Sequence, residues 1–302
     1  MESYTYYFPR IIRYNMTSIE FLQRFHTYIL ENCIKEVLLN FENTVRFETN
    51  LLSFFSYILE KLNKLGIKVM LKLKRESHTI PYDKIIGMIF KTYSAYNQCS
   101  LKCRKINDSN SRQIEDLLIK HLKGLNIKGY KWIKIILSEL IANIKMHTQL
   151  NEGTIAGYID ETEKMLMFSI VNYDITIKDN IQQKNGYIFD NDFDAIIWAL
   201  KKTNTTRLGE EPGGLGLYLL RKYIAELAGD FSIISGKYYL EFNNKSYNEK
   251  DENKIEVERV STLKNIFNGN MITIRIPFII ENTQMKIDDL TNQSIDLLNW
   301  GI

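Results

Sequence analysis

The stretch "GGLGLYLLRKYIAELAGDFSIISG", residues 213–236, constrains the chain more than any other. Gly213, Gly214 and Gly216 crowd the point where an amphipathic helix begins, Gly229 closes that helix, and a buried strand follows. Glycine reaches positive φ without steric cost and lets backbone N–H groups approach a ligand closely. At a helix N-terminus those free N–H groups and the macrodipole favour an anion. The preceding Thr203, Thr205, Thr206 and Arg207 supply further donors. The pattern is not GxxxxGK[ST], and it does not follow a first strand as a dinucleotide fingerprint does.

A second helix, "YKWIKIILSELIANIKMHTQL", carries Glu139, Asn143 and His147 at intervals of four residues, on nearly one face. Ile136, Leu140 and Ile144 share much of that face, so the polar groups point inward or into a cleft. A carboxylate placed there calls for a partner.

Around these two helices the chain reads as a mixture of short helices and strands. "SIEFLQRFHTYILENC" has helical spacing after a cap at Thr17–Ser18, "EVLLNF" is a buried strand, "NLLSFFSYILEKLNKLG" is a helix ending at Gly66, and "IKVMLKL" is a half-buried strand. Strand, helix and strand in that order predict a parallel crossover. The polar stretch "NQCSLKCRKINDSNSR" places a domain boundary near residue 105. Beyond it, "SRQIEDLLIKHLKGL" is a helix, "GTIAGYID" and "KMLMFSIVNYD" are strands of a hairpin, and "NDFDAIIWALKKT" is another helix. "FSIISG", "KYYLEF" and "NMITIRIPF" complete the strands, with "NNKSYNEKDENK" expected as a flexible polar excursion.

A net charge of +3 over 302 residues is too small to argue for nucleic acid, and the basic clusters at Lys72, Lys74, Arg75 and at Lys102, Arg104, Lys105 read as solvated surface. The longest apolar run, near Met165 to Val171, falls short of a membrane span. With no charged-then-apolar leader, the expectation is a cytoplasmic chain. Cys33, Cys99 and Cys103 fit free thiols, and His26, His78, His121 and His147 form no ligand spacing.

The two helices together resemble the GHKL superfamily of ATP-binding domains, over roughly residues 108 to 278. "ELIANIKMH" resembles its N box, "FSIVNYDITI" stands at the first glycine box, the opening stretch resembles the second, and "GNMITIRIP" resembles the closing strand. The resemblance implies an α+β chain: a C-terminal two-layer α/β sandwich (the Bergerat ATP-binding fold) at residues 106–280, a smaller N-terminal α/β domain at 1–105, and a tail at 281–302. It implies ATP and Mg²⁺ as cofactors, Asn143 as metal ligand and Glu139 as general base on the attacking nucleophile. It places the nucleotide against Asn143, Asn172, Asp174, Thr205, Thr206, Gly213, Gly214, Leu215, Gly216 and Leu217, with residues 203–212 as a mobile lid. Phosphate and metal features match better than base features. Asn172, Asp174 and Thr176 stand where the family has an Asp and two glycines, and Asn270 replaces a Thr. Lys145 and Arg207 are further phosphate candidates, and His147 ends the N box as in anti-sigma-factor kinases.

The N-terminal part is similar in layout to a STAS domain, with Asn40 and Glu48 near positions often held by Asp and Thr49 near the phosphorylated Ser. The implied function is a regulatory switch, in a stress or antiviral-defence setting, that hydrolyses ATP or phosphorylates a protein partner. The alternative is a non-catalytic module that changes partners on binding nucleotide. A protein partner and a homo-oligomer are expected, and neither nucleic acid nor membrane. A sensor histidine kinase fits less well, because His121 is followed by Leu122 and Lys123 rather than by an acidic residue.

Overall fold

The computed structural model describes residues 4–73, 76–78, 82–93, 99–107, 109–124, 130–147, 152–160, 163–202, 204 and 216–277. The chain is α+β. Its N-terminal unit contains β1 (Tyr4–Tyr7), β2 (Ile11–Ile12), α1 (Met16–Glu31), β3 (Glu36–Asn40), β4 (Arg46–Phe47), α2 (Leu52–Lys64), β5 (Lys68–Leu73), β6 (Glu76–His78) and α3 (Tyr82–Tyr93). The sheet order is β1-β3-β5-β6, with β3 parallel to both β1 and β5. The predicted crossover is therefore present, with α2 between β3 and β5. β1 was not anticipated; its Tyr-rich run has no apolar–polar alternation. Helix α1 starts two to three residues earlier than the expected Thr17–Ser18 cap. Asn15 is the cap, its side-chain oxygen accepting from Ser18 N–H at 2.9 Å. Rings fill the core of this unit, with Phe8 and Phe41 stacked at 4.0 Å and Phe55 edge-on to Phe8.

The second sheet has the order β10-β11-β9-β8-β7. Its strands are β7 (Cys99–Ile106), β8 (Gly153–Asp160), β9 (Met165–Tyr173), β10 (Asp230–Phe242) and β11 (Arg259–Pro277). The boundary expected near residue 105 thus falls inside β7. Residues 99–106, read as a polar connection, pair antiparallel with β8 as an edge strand. Edge strands carry charge where central ones do not, which is why Lys102, Arg104 and Lys105 hid it.

Alternation along β9 sends residues to two cores. Phe168 and Ile170 pack with helices α4 (Ser111–Gly124), α5 (Tyr130–His147) and α8 (Gly216–Glu226). Val171 and Tyr173 pack on the opposite face against the N-terminal unit, in a cluster with Phe54, Phe55 and Ile58 of α2. The sheet is thus covered on both faces. Each fully buried Ile, Leu or Phe contributes about 1.5–3 kcal/mol.

Two shorter helices, α6 (Ile177–Asn185) and α7 (Asp192–Ala199), follow β9. α6 was missed, because "IKDNIQQKN" has little apolar periodicity; Thr176 starts it as a side-chain cap. Strand β10 turns back on itself. Phe231 and Phe242 stack with centroids 4.6 Å apart, whereas a straight strand would carry them roughly 36 Å apart. The turn lies at Gly236, φ 59°, where an added β-carbon would meet the Asp192 carboxylate at 2.2 Å. "FSIISG" and "KYYLEF" are accordingly two arms of one bent strand.

The segment expected to be a flexible excursion is anchored. Arg221 of α8 is fully buried, and its guanidinium donates to the carbonyls of Ser246 (3.0 Å), Lys254 (2.8 Å) and Glu252. Glu252 in turn accepts from Lys202 Nζ (2.6 Å), Tyr218 OH (2.7 Å) and Tyr247 OH (3.0 Å). A polar composition concealed a strap held by a buried cation, by the bonds to Glu252, and by Tyr247, Ile255 and Val257 packed against the helical core.

Candidate functional site

Helices α5 and α8 lie side by side on the sheet and bring the two informative stretches together. Gly216 is the first residue of α8. A β-carbon built on it would lie 3.1 Å from Glu139 Oε2, 3.2 Å from Asn143 Nδ2 and 3.4 Å from Asn143 Oδ1. A side chain at 216 would press on both groups. The last glycine of the turn is therefore there for a close approach, and Glu139 and Asn143 face the N-terminal end of α8. Both are half-buried, while Ile136, Leu140 and Ile144 beside them are fully buried in the helical core.

This arrangement sets one carboxylate and one amide oxygen beside the start of a helix. The first N–H groups of a helix have no intrahelical acceptor and carry partial positive charge. Phosphate oxygens suit those donors. A hard divalent cation suits the oxygen of Asn143 together with phosphate oxygens. Mg²⁺ takes few protein ligands when a phosphate supplies the rest. Among the described residues no group of three or more His, Cys, Asp or Glu stands together as a ready-made metal site.

Asn172 lies at the end of β9, opposite Asn270 on β11 and Gly153 on β8. Alternation puts it on the same sheet face as Phe168 and Ile170, the face covered by α5. Asp174 is turned away. Its carboxylate pairs with Lys61 of α2, on the opposite face. Asp174, expected against the nucleotide, thus has its carboxylate held by a cation of α2. Thr176 Oγ1 accepts from Asp179 N–H at 3.0 Å and donates to Asp179 Oδ2 at 2.7 Å, which accounts for it as the cap of α6. Asn270 is buried, its amide donating to Ile175 O and accepting from Ile177 N–H, both at 3.0 Å. It braces the turn that follows Asn172.

Leu217 is half-buried, with its side chain packed against the helical core. Thr203, Thr205, Thr206, Arg207, Gly213, Gly214 and Leu215 lie outside the described residues, as do the side chains of Lys145 and His147. The described residue before that stretch, Lys202, is tied to the strap through Glu252 and through its N–H to Asn253 Oδ1 at 3.2 Å.

In the N-terminal unit Thr49 is 3% exposed and belongs to a short 3-10 turn packed near β8, on the sheet face away from Glu139. The hydroxyl at the phosphoacceptor position of the STAS comparison is thus buried. Glu48 accepts from Tyr14 N–H at 2.6 Å and pairs with Arg46 at 3.1 Å. Asn40 Oδ1 accepts from Glu42 N–H at 3.0 Å. Burial pushes the Cys103 thiol up to about 12, which makes it a poor nucleophile. Lys61 and Arg221, one holding the turn after Asn172 and the other the strap, carried no sequence signal. Each lies in an ordinary helical pattern and acquires its partner only on folding.

No protein-family model matches the chain, and no curated protein matches it. Among the described residues no helix is long and apolar enough to cross a membrane.

Proposed function

We propose that the chain binds Mg²⁺-ATP between α5 and α8 and either hydrolyses it or passes its terminal phosphoryl group to a protein partner. The observation that carries this reading is the packing of Gly216 against both Glu139 and Asn143. When bound, Mg²⁺ would neutralise phosphate charge and draw the transferred group's electrons toward the leaving oxygen. Asn143 would hold the ion through its amide oxygen. Glu139 would orient and deprotonate the attacking water or hydroxyl. The N–H groups opening α8, with the glycines before it, would hold the phosphates. The resemblance of residues 108 to 278 to GHKL domains and the helical layer over one face of the second sheet support the same reading.

The test is a thermal-shift titration with ATP, with and without Mg²⁺, followed by a turnover assay. The wild-type chain should be stabilised, and Asn143→Ala should lose the Mg²⁺-dependent part. Glu139→Gln should bind as well as wild type while turnover falls about 10²–10⁴-fold. Absence of any shift at saturating nucleotide would end the ATP reading.

A second reading, a nucleotide-binding switch without turnover, is favoured by the base side. Asn172 stands where an Asp is usual, and Asp174 is engaged by Lys61. Stabilisation by ATP with no turnover in the presence of candidate partners would select it.

A further inference from the structure

The turn that leaves Asn172 is gripped from the N-terminal unit. Asp174 sits at φ 68°, a left-handed conformation that Asp tolerates but does not prefer. Its carboxylate pairs with the Lys61 ammonium, and its N–H donates to Asn268 O at 3.1 Å. The same Asn268 carbonyl accepts from Tyr57 OH at 3.1 Å. Tyr57 also packs its ring against Tyr173 at 4.9 Å between centroids, and Lys61 lies 5.5 Å from the centre of the Tyr57 ring. Two residues one turn apart on α2 therefore hold both the turn after β9 and the turn before the last arm of β11.

From the other side the same turn is braced by Asn270, through Ile175 and Ile177. Asn172 lies beside these braces, in register with Asn270 and Gly153 in the sheet. A backbone kept in a sparsely populated conformation persists only where its surroundings over-determine it. The side chains of Lys61 and Asp174 are 30% and 20% exposed, so the pair is better shielded from water than an open surface pair. Glu139, Asn143 and Gly216 meet on the other face of the sheet.

We propose that Lys61 is a positioning residue through which the seating of the N-terminal unit sets base recognition at Asn172, without altering the phosphate and metal end. This rests on the nucleotide reading above. Loss of the Lys61–Asp174 pair frees the turn, Asn172 loses its orientation, and the nucleotide is held by its phosphates alone. A partner that shifted α2 would act on the site by the same route.

The experiment compares Mg²⁺-ATP with Mg²⁺-tripolyphosphate, which has the phosphates and no base, by calorimetric titration of the full chain. Lys61→Met and Asp174→Asn should each weaken ATP about 10-fold, the size of an ordinary pairwise coupling, and leave tripolyphosphate within about 2-fold. The double variant should be no weaker than either single one, and Lys61→Arg should restore ATP affinity. Equal losses for both ligands, or unchanged ATP affinity in a folded Lys61→Met chain, would overturn the proposal. Amide hydrogen exchange without ligand gives an independent arm. Exchange across 172–176 should quicken in Lys61→Met, and unchanged exchange there would also overturn it. A wild-type chain that binds neither ligand would sink the nucleotide reading and with it this proposal. The exchange arm would then still decide whether Lys61 holds the turn.

Discussion

Gly216 is the residue at which local rule and site coincide. In the sequence it is one of three glycines before a helix, a pattern that serves equally for a turn. In the fold its missing side chain is what lets α8 begin against Glu139 and Asn143. Contacts of 3.1–3.4 Å are tight enough that a methyl group must displace one of them. Gly216→Ala should therefore weaken Mg²⁺-ATP by at least about 10-fold. It should leave stability within about 1 kcal/mol, since Ala favours the helix it enters. Parallel calorimetric titration and urea unfolding would check this, and full-strength binding by the variant would detach Gly216 from the site. Glu139 and Asn143 were legible from their spacing of four. The direction taken by Asp174 was not, because the pattern "NYDIT" does not say which face its side chain leaves from. A lysine 113 residues earlier decides that.

Among the elements, the strap from Asn243 to Glu258 departs furthest from what its composition implied. Tyr247, Ile255 and Val257 pack against the helical core, and α8 reaches the strap with a buried guanidinium that, among the described residues, no carboxylate pairs with directly. Three carbonyls and the rings of Tyr218 and Tyr247 surround the charge instead. Arg221→Met would leave those carbonyls without their donor while keeping much of the volume. We expect a loss of about 3 kcal/mol in urea unfolding and faster exchange over 244–256. An unchanged midpoint would mean that the strap is held by other contacts. Glu252, at the same junction, also carries a pH signature. Burial works to raise its carboxyl, but hydrogen bonds from Lys202, Tyr218 and Tyr247 prevail and lower it from 4.5 to about 2. A depressed native value means that the pair stabilises the fold above about pH 4.5, and that this share is lost as pH falls toward 2. Glu252→Gln should be less stable than wild type at neutral pH, with the difference shrinking through that window. A gap constant from pH 6 to pH 2.5 would contradict the assignment.

At the scale of the molecule, the second sheet is the shared wall of two cores. Its far face buries Val171, Tyr173, Ile234 and Met271 under α1 and α2. Removing the N-terminal unit would expose that apolar face to water, a patch of the kind that soluble chains do not leave open. We therefore expect the whole chain to unfold in one transition, with calorimetric and van't Hoff enthalpies in agreement. A chain beginning at residue 99 should aggregate. Two resolved transitions, or a soluble folded fragment, would show that the halves are independent. By itself the sequence determined most of the helices and strands, including α5 with its row of polar residues and α8 with its glycines, because apolar periodicity and glycine stops are local properties. It also determined that Glu139 and Asn143 share one helix face and that glycines open a later helix. Only the tertiary structure decided that β7 joins the second sheet, that the N-terminal unit covers that sheet's other face, that Asp174 turns to Lys61, and that a buried arginine holds the strap. Each of these depends on partners far apart in the chain, Tyr14 and Ser232 being 218 residues apart. Their pairing is selected by burial and hydrogen-bond satisfaction in the folded whole, and it leaves no periodic trace in either segment alone.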